Sequence, residues 1–311
     1  MPSFMRETKQ EERCTMICKV LHIRTLPKDE WCAFIWDGTD VPPLKIKNKL
    51  EDEKSHPILL HLENFSLPIQ TLRTFPLVGT ILRMVPAKGV REMEMNSLVC
   101  HKWFKLVNII LEAHEGLWQA VVMPFTRLLC LSDEDPMVIE YERKYTNRVS
   151  NKCDHMPYWC FPAPSLITAT EHDSGDFVTL REVLTHRSVT GKFKCVVRVV
   201  ALIPWRVADF RTANGTYRLR LTLEDATARI HAFIHAEDGE QLFGQNPTMA
   251  ELTSKRNKML GIQVDDGNEH VNFPRDPPWC EFCIKSYYLG KKDPWGSRHY
   301  RIFGSEFRDL V

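Results

Sequence analysis

The segment Tyr217–Asp238 reads YRLRLTLEDATARIHAFIHAED, and its pattern predicts a β-hairpin. Apolar residues alternate with arginines up to Leu223, and the alternation resumes at Ala228 after a polar turn. A period of two residues is typical of a strand with one buried and one exposed face. The expected outer face carries arginines, histidines and Phe233. Two interpretations are open: this face is merely solvated, or it contacts a ligand that is anionic and flat.

The composition is that of a globular protein with no excess of either charge. The 311 residues are enough for two domains, and 43% of them are hydrophobic and 26% charged. The formal net charge is +1, so any basic surface must be local. No apolar run reaches the roughly 18 to 20 residues that span a bilayer, and the N-terminal residues MPSFMRETKQEER do not resemble a secretion signal. Ten irregularly spaced cysteines favour an intracellular chain with mostly reduced thiols. No membrane partner is expected, because the chain has no long apolar run.

The same order of parts appears twice along the chain. In the first half, strands are predicted at residues 14–26, 30–40, 74–85, 103–112 and 117–131. In the second half, a helical segment at 246–260 follows the hairpin, and the other strands are predicted at 192–205, 279–289 and 298–307. Five strands with a helix or loop between the third and the fourth are the plan of an OB-fold, a small and partly open barrel.

The predicted fold class is therefore all-β with minor helices, built from two tandem OB-fold five-stranded barrels. The expected boundaries are 10–135 for the first OB-fold module and 177–311 for the C-terminal one. A linker with a candidate helix at 140–152 is expected to join them at 136–176.

Long stretches in both halves resemble one protein family. In the second half these are GKFKCVVRVVALIPWRVADFR (191–211), GTYRLRLTLEDATARIHAFIHAEDGE (215–240) and WCEFCIKSYYLGKKDPWGSRHYRIFG (279–304). In the first half they are EWCAFIWDGTDVPP (30–43), LRTFPLVGTILRM (72–84) and LWQAVVMPFTRL (117–128). The first set is similar to the C-terminal module of plant protection-of-telomeres proteins, and the second set to the OB module that precedes it.

The resemblance implies a nuclear protein that acts at the telomeric regions of chromosomes. It implies binding of G-rich single-stranded telomeric DNA, a role in telomere capping, and work with telomerase or other telomere proteins. Members of the family begin with a further OB domain, which this sequence is expected to lack. The alternative is therefore a truncated scaffold that binds telomerase or telomere proteins and has little DNA affinity of its own.

In the second module, candidate DNA contacts lie on the second and third strands, on the last two strands and in the adjoining loop. OB-folds bind single strands there, with cations along the phosphates and aromatic rings that stack on bases. The candidates are Trp205, Arg206, Arg218, Arg220, Arg229, His231, Phe233, Lys285, Tyr287, Arg298 and Tyr300. Nearby acidic residues could pair with the arginines instead, and the same face could bind a protein.

In the first module, the corresponding candidates are two rings and several cations. They are Arg24, Phe34, Trp36, Arg83, Lys102 and Lys105. Phe34 and Trp36 share one face of their predicted strand, and this face is either exposed for stacking or part of the core. We expect Trp103 and Trp118 to lie in the core.

No motif in the sequence indicates catalysis or a cofactor. The chain contains no phosphate-binding G-x4-G-K-[ST] loop, no H-E-x-x-H and no G-x-S-x-G. We therefore expect no enzyme activity, no cofactor and no small-molecule substrate; a nuclease that uses the acidic runs is a distant alternative. Cys280 and Cys283 form one C-x2-C pair, and Cys153, His155 and Cys160 of the linker are candidates to complete a zinc site with them. No metal is expected, because residues three apart on a strand point to opposite faces.

Overall fold

The chain forms two compact units, each built around one barrel. The computed structural model describes residues 2–25, 31–60, 67–75, 81–88, 90, 97–114, 117–150, 166–171, 176–265, 268–269 and 274–308. The first unit comprises Met1–Pro43, Leu67–His155 and Trp159–Pro162. The second unit comprises Leu44–Ser66, Met156–Tyr158 and Ala163–Val311. No helix within the described residues is long and apolar enough to cross a membrane.

The first unit has the strand order of an OB-fold. Its elements are β1 (Arg13–Thr25), β2 (Trp31–Trp36), α1 (Ile69–Thr74), β3 (Leu82–Pro86), β4 (Trp103–His114), β5 (Leu117–Val122), β6 (Arg127–Cys130) and α2 (Pro136–Ser150). The sheet runs β1-β2-β3-β5-β4, and β4 pairs with β1 to close the barrel. β3 and β5 are parallel, and β6 adds to the free side of β4.

Helix α2 packs on the outside of the first barrel through one side. Its buried residues Val138 and Tyr141 cluster with Trp103 of β4, at the three-residue spacing that places side chains on one face of a helix. Two turns further, Arg148 donates a hydrogen bond to the Asp40 carboxylate at 2.9 Å, and both side chains are almost fully buried. A buried ion pair of this kind fixes the helix, because either charge alone would be costly to bury.

The second unit has the same barrel. Its elements are β7 (Thr168–Thr170), α3 (Leu180–Thr185), β8 (Gly191–Ile203), β9 (Arg218–Glu224), β10 (Arg229–His235), α4 (Glu237–Phe243), α5 (Met249–Leu260), β11 (Val264–Asp265), β12 (Asn268–Glu269), β13 (Trp279–Tyr288), β14 (Arg298–Phe303) and β15 (Ser305–Phe307). The barrel order is β8-β9-β10-β14-β13, closed by β13 on β8. The prediction of two five-stranded OB-fold barrels is confirmed.

Helix α5, between the third and fourth strands of the second barrel, is capped at both ends. Thr248 and Glu251 form a reciprocal capping box, in which each side chain accepts a hydrogen bond from the other residue's backbone N–H. Gly261 ends the helix with φ +63°, and a Cβ there would lie 2.3 Å from the backbone oxygen of Asp276. Only glycine fits this position, because it needs both the left-handed conformation and the space.

Residues 44–60 belong to the second unit although they follow β2 of the first barrel. Leu50 is 1% exposed and lies in the core cluster of the second barrel. Ile46 exchanges backbone hydrogen bonds of 2.7 and 2.8 Å with Arg275, and Ile58 packs against Val200 of β8. We call residues 44–60 the strap, because they cover part of the outside of this barrel.

The structure differs from the sequence prediction in several elements. The strand expected at 74–85 begins only at Leu82; helix α1 precedes it, and residues 76–80 lie outside the described residues. The strand expected at 117–131 is divided into β5 and β6 by a turn in which the Thr126 N–H donates to the Met123 carbonyl. The final strand is interrupted at Gly304, where φ is +54°. The compact units also divide the chain differently from the expected boundaries, because the strap joins the second barrel and α2 joins the first.

Candidate nucleic-acid interface

The β9–β10 hairpin has the predicted inner and outer faces. Leu219, Leu221 and Leu223 are buried in the core. Arg218, at one of the positions that alternate with them, is exposed. The turn is held by the buried carboxylate of Asp225, which accepts hydrogen bonds from the backbone N–H groups of residues 227 and 228 at 2.7 and 2.9 Å. Burial raises the pKa of Asp225 to about 6, although these hydrogen bonds lower it in part. The register places Arg218 beside His235 and Arg220 beside Phe233.

The strap covers the half of this hairpin that is nearest the turn. The Glu53 side chain is 1% exposed, accepts a 3.4 Å hydrogen bond from Thr222 and lies 4.0 Å from the Arg220 guanidinium. Arg229 is buried, where it donates to Glu224 at 2.6 Å and to the Leu59 carbonyl at 3.3 Å. The prediction that Arg229 contacts DNA is wrong, because protein groups already surround its guanidinium.

His231 lies on the outer face of β10 beside Thr222. Its ring is half-buried and lies 3.3 Å from the Thr222 hydroxyl. Burial, with a smaller contribution from the positive charge of Arg220, lowers the pKa of His231 to about 4. The ring is therefore neutral at pH 7 and offers no positive charge to a phosphate.

Beyond the strap, three rings cross the open half of the barrel face. Phe233 on β10, His299 on β14 and Tyr287 on β13 are each half-buried. The ring centroids are 5.9 Å apart from Phe233 to His299 and 6.0 Å apart from His299 to Tyr287. We call these three residues the ring row. Half-exposed rings on adjacent strands form the kind of platform on which unpaired bases stack.

Cations border the ring row. Arg220 is the neighbour of Phe233 on β9, and Arg301 is its neighbour on β14. Lys285 is exposed on β13 beside Arg301. Arg220 and Arg301 each face a carboxylate of this unit, whereas Arg218 is exposed at the open end of β9. The row therefore combines aromatic faces with positive charge, which are the two features that bind single strands.

Two loops flank the ring row. In the loop between β8 and β9, Trp205 packs partly into the core and the exposed Arg206 lies 5.3 Å from its ring centroid. In the loop between β13 and β14, Lys291 and Lys292 are exposed, and Trp295 is 55% exposed. These are the two loops that flank the ligand face in OB-folds.

Two candidates on β14 point away from the ring row. Arg298 donates to the backbone carbonyls of Leu184 and Ser188, at 3.2 and 3.4 Å. Tyr300 packs against the barrel core, and its burial raises its pKa. The prediction that these two residues share a face with Lys285 and Tyr287 is wrong. The residue opposite Tyr287 is His299, and Arg298 and Tyr300 flank His299 on β14, so their side chains point to the other side of the sheet.

The sequence reasoning missed His299, Lys291, Lys292 and Trp295. Ile302 is buried and sets which positions of β14 point inward. His299, three residues before it, therefore points outward, and this parity could have identified it. The other three residues lie in the loop between β13 and β14. A tryptophan beside two lysines in a loop indicates an exposed binding site, because loops run over the protein surface.

In the first unit, the candidate rings lie on the outer face of β2, but that face is covered. Phe34 is 1% exposed and packs against Phe75, with 5.3 Å between the ring centroids. Trp36 is fully buried and packs edge-on against Tyr145 of α2 at 5.1 Å. The prediction that these two rings offer a stacking surface is wrong, because helix α2 and the end of α1 occupy it. Trp103 and Trp118 are buried, as expected.

The cations predicted in the first unit are not gathered into one patch. Arg83 on β3 is 6% exposed and lies beside Phe34 of β2. Arg24 is half-buried near the end of β1. Lys102 forms an exposed ion pair with Asp133, and Lys105 is half-exposed on β4. A role for these lysines and for Arg24 stays a prediction.

Cys280 and Cys283 lie on opposite faces of β13. Cys280 points into the barrel core, whereas Cys283 lies outside that cluster, and both thiols are buried. Burial raises the pKa of Cys280 to about 12 and that of Cys283 above its ordinary value. No group of three or more metal-binding side chains occurs within the described residues. Cys153, His155 and Cys160 lie outside the described residues.

Comparisons with known proteins agree with the fold and identify relatives. Residues 163–293 match the family described as POT1A-like, OB fold domain. The chain is 38% identical to Protection of telomeres protein 1a of Arabidopsis thaliana over 315 residues, which cover 97% of this chain and 63% of that protein. It is 35% identical to Protection of telomeres protein 1b of the same plant over 300 residues, covering 96% of this chain and 64% of that protein.

The chain thus spans less than two thirds of the length of these two relatives. Among solved structures, the crystal structure of fission yeast Pot1 and Tpz1 matches 47% of this chain and 99% of that chain. Its TM-score is 0.38 and the identity 14%, a likeness too weak to bear on function. On the sequence matches, the chain belongs to the family of plant protection of telomeres proteins.

Proposed function

We propose that this chain binds G-rich single-stranded telomeric DNA through the second barrel. The observation that carries the proposal is the ring row, in which Phe233, His299 and Tyr287 lie about 6 Å apart on three neighbouring strands. Each base stacked on such a ring contributes roughly 1–3 kcal/mol to binding. Membership in a family of telomere-protection proteins supports telomeric DNA as the substrate.

The charges suggest how the strand is held. Bases stack on the ring row, and the sugar-phosphate backbone passes Arg218 on one side and Lys285 on the other, both exposed. Arg206 and the two lysines of the β13–β14 loop extend this positive rim. Phosphate contacts of this kind add affinity that does not depend on sequence and that falls as salt rises.

The first barrel contributes no base stacking in this proposal, because α2 covers the outer face of its β2 strand. Its role at chromosome ends is then structural or concerns protein partners. A protein-binding function, as a scaffold for telomerase or another telomere protein with little DNA affinity of its own, is the second candidate. Two observations favour it: the outer face of β2 is covered, and so is the half of the β9–β10 hairpin nearest its turn. Neither surface is open to DNA.

The biological setting follows from the family. We infer a nuclear, non-enzymatic protein of the telomeric region that contributes to capping and to telomerase regulation. Both Arabidopsis thaliana relatives carry the name protection of telomeres protein. No cofactor and no small-molecule substrate are part of the proposal.

The test is binding of the purified chain to a fluorescent single strand of the repeat TTTAGGG, followed by fluorescence anisotropy. A scrambled strand, the duplex and a salt series serve as comparisons. We expect the repeat to bind more tightly than both comparison DNAs, with an affinity that falls as salt rises. Binding that ignores sequence, or none at all, would reject DNA reading by this chain and favour the scaffold function.

A further inference from the structure

Strand β6 is an open edge of the first unit. It pairs with β4 on one side, and within the described residues no strand pairs with its other side. Three of its four residues are exposed, including Leu129 at 47% and Cys130. An exposed edge with an apolar side chain is a template for a further strand.

The register shows which backbone groups are free to pair. The Leu131 N–H donates to the Trp103 carbonyl at 2.9 Å, so residue 131 faces β4. Hydrogen-bonded positions alternate along an antiparallel pair, so Leu129, opposite Lys105, also faces β4. The N–H and carbonyl groups of Leu128 and Cys130 therefore point away from the barrel. They present two donors and two acceptors at the spacing of a strand.

The side chains over the first part of this edge are apolar and basic, whereas the exposed acidic residues Asp133 and Glu134 follow its end. Leu129 and Phe125 are 47% and 40% exposed. Arg127 is exposed on β6, and the exposed Arg13 lies over the Phe125 ring at 4.4 Å. Lys105 is half-exposed opposite Leu129. Within the described residues, none of these three cations forms an ion pair.

We propose that β6 binds an extended, acidic and partly apolar segment of a protein partner, which pairs with it as an added strand. The main-chain groups of Leu128 and Cys130 supply the pairing, and Leu129 with Phe125 supplies an apolar contact. Arg13, Lys105 and Arg127 select carboxylates by charge. Open peptide groups beside a leucine favour a peptide over a nucleic acid, because bases and phosphates do not complete a β-ladder.

The probe is a pool of eight-residue peptides in which glutamate alternates with valine, isoleucine or leucine. Amide hydrogen exchange of the full chain is followed with and without the pool, and affinity is measured by fluorescence anisotropy. We expect new protection at the amides of Leu128 and Cys130 and weaker binding at higher salt. A pool with lysine in place of glutamate serves as the comparison and is expected to bind more weakly.

Two substitutions at one position make the test specific. Cys130→Pro removes an outward N–H without removing a bond to β4, and Cys130→Ser retains that N–H. We expect the proline variant to bind the glutamate pool about tenfold more weakly, close to the effect of removing one main-chain hydrogen bond, and the serine variant to bind normally. Lys105→Glu with Arg127→Glu is expected to reverse the preference toward the lysine pool.

Several results would overturn the proposal. One is no protection of β6 amides by either pool at concentrations up to about 1 mM, the weak end of specific affinities. Another is equal binding by the proline and serine variants. Protection of the same amides by single-stranded DNA would reassign the edge to nucleic acid. Self-association of the unliganded chain that Cys130→Pro abolishes would assign it to a second copy.

Discussion

Removal of one ring tests whether the ring row carries DNA binding. Phe233 lies at one end of the ring row, with Arg220 beside it on β9, Arg301 beside it on β14 and the His299 ring 5.9 Å away. Phe233→Ala deletes this platform and leaves the buried side of the hairpin intact. If one base stacks there, the complex loses roughly 1–3 kcal/mol. The Kd then rises roughly 5-fold to 150-fold, because about 1.4 kcal/mol corresponds to a factor of ten.

The assay is anisotropy with the labelled G-rich strand, together with thermal unfolding of each variant. Phe177→Ala is the matched control, because Phe177 is a half-buried ring of the same unit that lies under Lys194 of β8, outside the ring row. We expect the control to retain normal affinity. Phe233→Tyr keeps an aromatic face and is expected to restore most of the binding.

Two results would each refute the reasoning. If Phe233→Ala is folded and binds DNA as tightly as the unaltered chain, no base stacks on Phe233. If Phe177→Ala weakens binding by the same factor, the loss reflects a general change in the barrel rather than stacking. Either outcome would remove base stacking on Phe233 as the basis of DNA binding.

Three further predictions concern charges. Arg218→Ala is expected to reduce the slope of log affinity against log salt by about 0.7 for each phosphate that this arginine neutralises, with the fold intact; an unchanged slope would remove this arginine from the interface. Arg148→Ala leaves the buried Asp40 carboxylate without its guanidinium partner, so urea unfolding should show a decrease of about 3–5 kcal/mol in the free energy of unfolding; a decrease below about 1 kcal/mol would show that water reaches the carboxylate. The folded pKa of His231 is about 4, below its ordinary value, so the unfolded chain takes up this proton first as the pH falls. Its contribution to stability is therefore present above the ordinary histidine pKa and is lost as the pH falls toward 4. His231→Gln should flatten that part of the stability curve, whereas Asp225, with its raised pKa, acts in the opposite direction in both proteins; identical curves would contradict the shift.

The β9–β10 hairpin shows how much of the fold was predictable. The period of two in residues 217–235 places the leucines inside and Arg218 outside, and the structure agrees. This succeeds because alternation along a strand is a local property of the backbone. Helix α5 is similar, since its predicted segment carries its own capping residues, Thr248 and Glu251.

The candidate site was less predictable, because position on a strand does not reveal what covers it. Phe34 and Trp36 lie on the expected outer face of β2, yet Phe75 and Tyr145 lie over them. Arg229 has the expected outward position, but Glu224 and the Leu59 carbonyl surround it. Apart from Glu224, each covering group is far away in sequence or belongs to a segment without a periodic signal.

The sequence by itself determined the two barrels, their strand order and their family, because alternation and long similar stretches are readable along the chain. Only the tertiary structure decided which outer faces stay open. That choice depends on the strap, which packs on the second barrel, and on α2, which packs on the first. Burial of Leu50 holds the strap, and the buried Arg148–Asp40 ion pair holds α2. Both interactions join residues that are distant in sequence, so a local sequence pattern does not reveal them.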